Sequence, residues 1–211
     1  MVDVRSRREL ALILSKAPRF PKPVRELEQY VTDGDTASEI LWEAYMRGDI
    51  KGKVVVDLGC GTGVLAIGSL LLGASLVLCI DIDAEAVKLA EEWARRLRLS
   101  ERFHSIEAEV PNIALRDIDT VVMNPPFGIH KRGADMLFLE SAYALSPQAI
   151  YTMHMADYGT RKLIAISAFR RGYRAVILSN RNILIPQLFE SHRRRVYRVS
   201  IDLYLIRKIA R

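Results

Sequence analysis

Two hydrophobic patterns alternate along the chain from residue 53 onwards. Short apolar runs, typical of strands buried in a parallel sheet, alternate with longer segments whose apolar residues recur every three or four positions, as on one face of a helix. The short runs predict strands over residues 53–58, 75–81, 103–110, 120–123, 149–153 and 174–179. The longer segments predict helices over residues 63–72, 84–97, 135–144 and 161–171. This alternation predicts an α/β fold with a mostly parallel sheet and helices on both faces.

The two ends of the chain depart from this alternation. Segment 196–206 alternates Val, Ile and Leu with polar residues, which predicts a long last strand with an antiparallel partner. Before residue 51 the pattern predicts helices over 5–16, 24–30 and 36–47, the last with Asp35 as its N-cap. We expect residues 1–50 to form a helical appendage that contributes to the functional site, and residues 51–211 to form one structural unit.

The longest uncharged stretch covers residues 58–80 and is long enough to cross a bilayer. Glycines interrupt it, three of them within residues 59–63. A glycine turn, a buried helix and a buried strand in succession explain the stretch better than a membrane span does. We therefore expect no association with a membrane.

Composition and charge narrow the class of protein. Half of the residues are hydrophobic and 27% are charged, which excludes a disordered or fibrous chain. The net charge is +6, and segment 161–211 holds 13 basic and only 2 acidic residues. A basic face suggests a polyanionic partner such as nucleic acid, although a solvated arginine surface would have the same composition.

The two cysteines, Cys60 and Cys79, have no zinc-type spacing. We expect neither a disulfide framework nor a metal site, and a cytoplasmic location.

Polar and glycine residues follow the first two strands of the predicted sheet. The first strand leads into Asp57-Leu58-Gly59-Cys60-Gly61-Thr62-Gly63, and such glycines let the backbone approach a ligand closely. The second strand ends at Asp81, whose carboxylate can accept hydrogen bonds from both ribose hydroxyls of an adenosine-containing cofactor. This pattern is shared with nicotinamide-binding proteins. The missing sixth-position glycine and the acid before the turn favour S-adenosylmethionine.

The fourth strand ends in Asn124-Pro125-Pro126-Phe127-Gly128. Two prolines fix an extended backbone and remove two N–H donors, which leaves carbonyl acceptors beside the Asn side-chain oxygen. Asn124 and the Pro125 carbonyl can accept both N–H bonds of an exocyclic amine, while Phe127 stacks on the ring that carries it. Positioning and hydrogen bonding would then direct the nitrogen lone pair at a sulfonium methyl without a strong base.

Taken in order, these motifs resemble class I S-adenosylmethionine-dependent methyltransferases that act on an exocyclic or amide nitrogen. Further segments, 20–23 with 27–32, 133–136 and 191–195, make the chain similar to the methyltransferase-like protein 5 family from about Phe20 to Ile206. The resemblance implies a Rossmann-like, seven-stranded sheet whose last strand is antiparallel. It also implies that the protein makes N6-methyladenosine in RNA of the small ribosomal subunit.

The resemblance implies roles for particular side chains. We expect eight residues, including Asp57 and the glycines of the turn, to line the cofactor. They are Gln29, Thr32, Asp57, Gly59, Gly61, Thr62, Val64 and Asp81. Glu109 stands where Asp is the usual family residue and is expected to accept a bond from the cofactor's adenine amine. The expected catalytic residues are Asn124, Pro125, Pro126 and Phe127. Some relatives require a small zinc-binding activator protein, for which the edge of strand 103–110 is the expected docking place.

Basic residues near the expected active site are candidates for contact with RNA. Lys131 and Arg132 follow the catalytic segment and can meet phosphates beside a flipped base, although a solvated loop would have the same composition. The cluster expected to contact phosphates near the last strand is His192, Arg193, Arg194 and Arg195. Three successive arginines suit a loop better than a strand, in which only every second residue faces one side.

Two other functions fit the same motifs. A methyltransferase of this type can instead modify the exocyclic amine of guanine or a glutamine amide of a protein. A catalytically silent RNA-binding or assembly module could also keep the fold, but such a module has no need of Gly59, Asp81 and Asn124 together.

Overall fold

The structure is a computed structural model and describes residues 4–128, 131–186 and 196–209. Within these residues the strands are β1 (Val54–Leu58), β2 (Leu76–Asp81), β3 (Phe103–Glu107), β4 (Thr120–Met123), β5 (Ala149–Met155), β6 (Tyr173–Pro186) and β7 (Val196–Lys208). They form one sheet in the order β3-β2-β1-β4-β5-β7-β6. The pairs from β3 to β5 are parallel, and β7 runs antiparallel to both of its neighbours. The predicted α/β fold class is therefore confirmed.

Helices cover both faces of the sheet. The described helices are α1 (Arg7–Leu14), α2 (Gly34–Met46), α3 (Val64–Leu71), α4 (Ala84–Arg96), α5 (Ala134–Ala144) and α6 (Tyr158–Arg170). Buried side chains of α1 to α4 share one hydrophobic cluster, and those of α5 and α6 share the other. No helix in the described part of the chain combines the length and apolar character needed to cross a membrane.

Side-chain caps set where several helices begin. Asp83 caps α4 as predicted, because its carboxylate accepts the N–H groups of Glu85 and Ala86 at 2.9 and 3.3 Å. The cap of α2 is Asp33, which accepts the N–H of Thr36 at 2.9 Å, so the prediction of Asp35 is wrong. Asp33 and Asp35 are only two residues apart in the sequence. The direction of the backbone at the start of α2 decides which of the two carboxylates faces the free N–H groups of the helix.

The segment before α2 is mostly irregular. A helix was predicted over residues 24–30, but the structure has only one 3-10 turn, Arg25–Leu27. Glu28 follows with φ at 50°, a left-handed conformation that ends the turn. The side chain of Gln29 then accepts the N–H of Val24 at 2.7 Å, which folds the segment back on itself. This segment is one wall of the cleft described below.

Two strands, β3 and β6, differ from the predicted length by three or more residues. β3 ends at Glu107, three residues early, because a 3-10 turn containing Pro111 follows at Val110–Asn112. β6 continues to Pro186, far beyond residue 179, because β7 pairs with it along its whole length. Since β5 pairs only with residues 201–207 of β7, the rest of the β6–β7 hairpin extends past the carboxyl end of β5.

The structure joins Cys60 to Cys79 by a disulfide, so the expectation that the cysteines form no disulfide is wrong. In the parallel register, Cys79 of β2 lies opposite Asp57 of β1. The N–H groups of Gly59 and Cys60 donate to the carbonyl of Ile80 at 2.8 and 3.0 Å, which folds the turn over the end of β2. Spacing along the sequence does not reveal this proximity. The cysteines therefore give no support for a reducing compartment.

Candidate active site

A cleft lies at the carboxyl ends of β1, β2 and β4. This is the edge at which open parallel sheets bind ligands. Its walls come from the irregular segment before α2, the glycine turn after β1, the end of β2, and the segment after β4. The cleft brings together all nine of the residues that were predicted to line the cofactor.

The glycine turn needs glycine for two reasons. Gly59, Gly61 and Gly63 have φ values of 69°, 52° and 87°, which other residues rarely adopt. A Cβ atom at Gly59 would lie 2.6 Å from the Phe138 ring, and one at Gly61 would lie 2.9 Å from the Phe20 ring. The turn therefore presents bare backbone to the cleft, and α3 begins directly after it.

Asp81 holds this turn to the end of β2. Its Oδ2 atom accepts the N–H of Gly61 at 2.7 Å, and its Oδ1 atom accepts the N–H of Asp83 at 2.9 Å. Burial raises the pKa of Asp81, and these two backbone bonds act in the opposite direction. Each carboxylate oxygen has a second lone pair, so the side chain can still accept hydroxyl donors from a ligand in the cleft.

Asp57 is a buried acid at the base of the cleft. Its Oδ2 atom accepts the N–H of Ala66 at 2.8 Å, whereas its Oδ1 atom has no hydrogen-bond partner among the described residues. Burial, with a smaller contribution from repulsion by the neighbouring Asp81, raises the pKa of Asp57 to about 8 despite the opposing hydrogen bond from Ala66. A positively charged ligand group in the cleft would stabilise the ionised form.

Asp57→Asn is expected to remove a pH dependence from the stability of the ligand-free protein. Because the folded pKa is about 8 and the ordinary value is 3.8, the folded state binds the extra proton between these values. Its stability therefore falls as the pH rises through that range, by about 1.4 kcal/mol for each pKa unit. The difference between wild type and variant in urea-unfolding free energy, measured across this range, isolates Asp57 from other titrating groups. Parallel curves would contradict the burial argument.

Asn124 lies where the cleft meets a second, smaller pocket. Its Nδ2 atom donates to Thr32 Oγ1 at 2.9 Å. Its Oδ1 atom is buried and accepts no hydrogen bond from the described residues. Thr32 thus fixes the side-chain amide so that a free acceptor remains at the junction of the two pockets. Leaving such an acceptor unpaired is unfavourable unless a donor arrives with a ligand.

Tyr30 is a site residue that the sequence analysis missed. It lines both pockets, its hydroxyl is buried without a hydrogen-bond partner among the described residues, and its ring lies 5.5 Å from that of Phe127. Phe127 is only 8% exposed and belongs to the hydrophobic core. Its stacking on a substrate ring therefore stays a prediction. The position of Tyr30 inside segment 27–32, which carries the family resemblance, was the signal that could have indicated it.

The other residues that were predicted to line the site lie along the wall and the rim of the cleft. Thr62 and Val64 line the cleft from the start of α3. Gln29 also lines it, and its Nε2 atom donates to Asp83 Oδ2 at 2.5 Å, which joins the segment before α2 to the start of α4. Pro126 and the exposed Glu109 lie on the rim.

The predicted RNA-contacting residues are only partly described. Lys131 lines the cleft, and Arg132 is exposed beside it. His192, Arg193, Arg194 and Arg195 lie outside the described residues. Within the described residues, no group of three or more His, Cys, Asp or Glu side chains is placed to hold a metal ion.

The residues of the cleft fit S-adenosylmethionine. This cofactor carries an ammonium group, two ribose hydroxyls and an adenine amine, all of which donate hydrogen bonds. The cleft offers matching buried oxygen atoms that have no described partner, Asp57 Oδ1 and Thr62 Oγ1. The bare backbone of the glycine turn leaves room for the ligand between them.

Comparison with known proteins agrees with this site. Residues 31–151 match the family model of the methyltransferase small domain. The chain is 35% identical to a Methanocaldococcus jannaschii protein of unassigned function, over 96% of this chain and 94% of that protein. It is 31% identical to the zebrafish (Danio rerio) rRNA N(6)-adenosine-methyltransferase METTL5, over 92% of this chain and 95% of that protein. A solved structure of a candidate RNA methyltransferase from Pyrococcus horikoshii is 39% identical, with a TM-score of 0.88 and 96% of both chains covered.

Proposed function

The chain belongs to the methyltransferase small domain family and, within it, to the methyltransferase-like protein 5 family, and from this membership we propose that it methylates N6 of an adenosine in small-subunit ribosomal RNA. The observation that carries the proposal is the unpaired Oδ1 atom of Asn124 where the two pockets meet. A buried acceptor at that point suits an N–H donor on the group that receives the methyl. The zebrafish relative, whose name states this reaction, supports adenosine as the substrate.

The residues of the site act by holding the target amine. S-adenosylmethionine supplies a methyl group on a positively charged sulfur. Asn124 Oδ1 accepts one N–H of the amine, and the Pro125 carbonyl is proposed to accept the other. Both bonds hold the nitrogen lone pair in line with the methyl group and stabilise the positive charge that develops on the nitrogen. The proton leaves after transfer, so a strong base is not required.

Thr32→Val is expected to lower the rate constant of methyl transfer on the order of tenfold, because the Asn124 amide loses the bond that orients it. Thr32→Ser keeps the hydroxyl and should restore most of the rate. Cofactor affinity, measured by calorimetry, should change little in both variants. If Thr32→Val instead weakened cofactor binding and left the rate at saturating cofactor unchanged, Thr32 would be a cofactor ligand and not a positioning residue.

The proposed reaction is tested by product analysis. Small-subunit ribosomal RNA is incubated with the protein and isotope-labelled S-adenosylmethionine, digested to nucleosides and analysed by mass spectrometry. Labelled N6-methyladenosine is the expected product, since an unpaired adenine can be turned out of its stack into the site. Label on a guanine amine or on a protein glutamine amide would replace the proposal with one of the two alternatives. A protein that binds RNA but transfers no label would be a silent module.

Three wider features of the protein are also proposed. β3 pairs only with β2 in the described sheet, so its free edge is the proposed docking place for a small zinc-binding activator. Residues 1–50 are proposed as an appendage that completes the cofactor site of a methyltransferase domain formed by residues 51–211. The cytoplasm is the proposed location.

A further inference from the structure

The outer face of α6 is apolar although it faces solvent. Tyr158 and Phe169 are 80% and 78% exposed, and Leu163 and Ile166 are 55% and 39% exposed. At 100° per residue, Tyr158 and Phe169 lie on nearly the same side of the helix, about 16 Å apart along its axis. Leu163 and Ile166 lie between them along the axis, about 60–140° further round the helix. These four side chains form the α6 outer face.

The fold does not account for this face. α6 already buries Ile164 and Ala168, which point to the opposite side and are both 0% exposed in the core. A surface helix normally carries polar residues opposite its buried stripe. Exposed aromatic side chains grouped on one face instead indicate a contact surface.

The charge around the α6 outer face suits a polyanion. From residue 158 to residue 189 the sequence has no acidic residue and has six basic residues. Three of these are already paired: Arg161 with Asp202 at 2.7 Å, Arg171 with Glu140 at 2.6 Å, and Arg181 with Glu39. Within the described residues, the exposed Lys162, Arg170 and Arg174 have no ion-pair partner. Their positive charge is therefore available to a partner.

Aromatic rings beside unpaired cations fit single-stranded RNA. Bases stack on aromatic rings whatever their sequence, and the cations contact the phosphates between them. The position of α6 agrees with this, because the helix follows β5 and so begins at the edge of the sheet that holds the active site. It then runs along the flank of the enzyme towards the opposite edge.

We propose that the α6 outer face is a second RNA-binding surface, which holds a single-stranded part of the substrate that leaves the active site along the helix. The proposal rests on the proposed function, in that the substrate is taken to be RNA. The surface would add affinity for long substrates without taking part in methyl transfer. It would thereby favour a large ribosomal RNA over free nucleosides and short oligonucleotides.

The test compares long and short substrates. The variants are Tyr158→Ser with Phe169→Ser, and Lys162→Ala with Arg170→Ala. Matched controls change exposed residues elsewhere, with Leu12→Ser and Met46→Ser for the apolar pair and Lys51→Ala and Arg95→Ala for the charged pair. Because all of these side chains are exposed, the variants should fold, and thermal unfolding checks that they do. The substrates are a small-subunit ribosomal RNA transcript and a short oligonucleotide that carries the target adenosine.

We expect both α6 variants to act less well on the transcript and normally on the short oligonucleotide. The aromatic variant should lower kcat/KM on the transcript about tenfold or more, since each stacked base contributes substantially to binding. The charge variant should flatten the log–log salt dependence of transcript binding by about 1.4, from two lost phosphate contacts. Both variants should methylate the short oligonucleotide as the wild type does, and the controls should match the wild type on both substrates.

Two further outcomes separate this inference from the proposed function. If the wild type methylates RNA and both α6 variants match it on the transcript, the inference is overturned and the proposed function stands. If the wild type forms no N6-methyladenosine on either RNA, the proposed function fails first. Loss of self-association in the aromatic variant, with unchanged RNA binding, would make the face a protein interface and would also overturn the inference.

Discussion

Asn124→Ala is expected to lower the single-turnover rate of methyl transfer to RNA by about a hundredfold or more. The side chain provides a buried acceptor whose Oδ1 atom has no described partner and whose orientation is fixed by Thr32. Removing one such preorganised group from an active site commonly has an effect of this size, because its bond to the reacting atom strengthens in the transition state. The measurement is the rate at saturating cofactor and RNA.

Controls for Asn124→Ala separate chemistry from folding and binding. Asn182 is exposed on β6 and lines neither pocket, so Asn182→Ala removes the same side chain outside the site and should keep the wild-type rate. Cofactor affinity of Asn124→Ala should fall much less than its rate. A single-turnover rate near that of the wild type would show that another group holds the amine, and the proposed mechanism would have to be abandoned.

Asp81→Ala should produce the largest loss of cofactor affinity, by about tenfold or more. The variant loses a carboxylate that can accept charge-assisted bonds from ribose hydroxyls. It also leaves the N–H groups of Gly61 and Asp83 without their acceptor, so the glycine turn should loosen as well. Calorimetric titration of the purified variant with S-adenosylmethionine measures the effect.

The control for Asp81→Ala is the removal of an exposed acid far from the cleft. Glu101 is exposed before β3, and Glu101→Ala should bind cofactor as the wild type does. Thermal unfolding without cofactor reports the separate effect on the turn. If Asp81→Ala lowered stability but kept wild-type affinity, the carboxylate would only support the turn, and the ribose contact would have to be assigned elsewhere.

Most of the architecture could be predicted, because hydrophobic residues recur with a different period in a strand than in a helix. In addition, parallel strands place their carboxyl ends at one edge of the sheet. That rule alone located the glycine turn, Asp81 and Asn124 in one cleft. Element ends were less predictable, since they depend on partners distant in sequence. β6 is long because β7 pairs with it, and no local pattern in residues 180–186 states that pairing.

Two of the contacts that sequence reasoning missed join segments that are distant in sequence. Thr32 and Asn124 are 92 residues apart, and their hydrogen bond exists only because the segment before α2 folds across the end of β4. The Cys60–Cys79 disulfide likewise follows from strand register and the path of a turn. The resemblance to the methyltransferase-like protein 5 family indicated that Thr32 belongs to the site, but only the structure shows that it contacts Asn124.

The place of β7 in the sheet has a consequence for how the protein is made. β7 is the last strand in the sequence, yet it lies between β5 and β6 and provides the pairing that β6 has in the described sheet. During synthesis on the ribosome, β6 therefore emerges with neither of its edges paired. Its apolar residues Val176, Ile177 and Leu184 remain solvent-exposed even in the finished sheet. The newly made chain is thus most prone to edge-to-edge aggregation in the interval before β7 adds to the sheet.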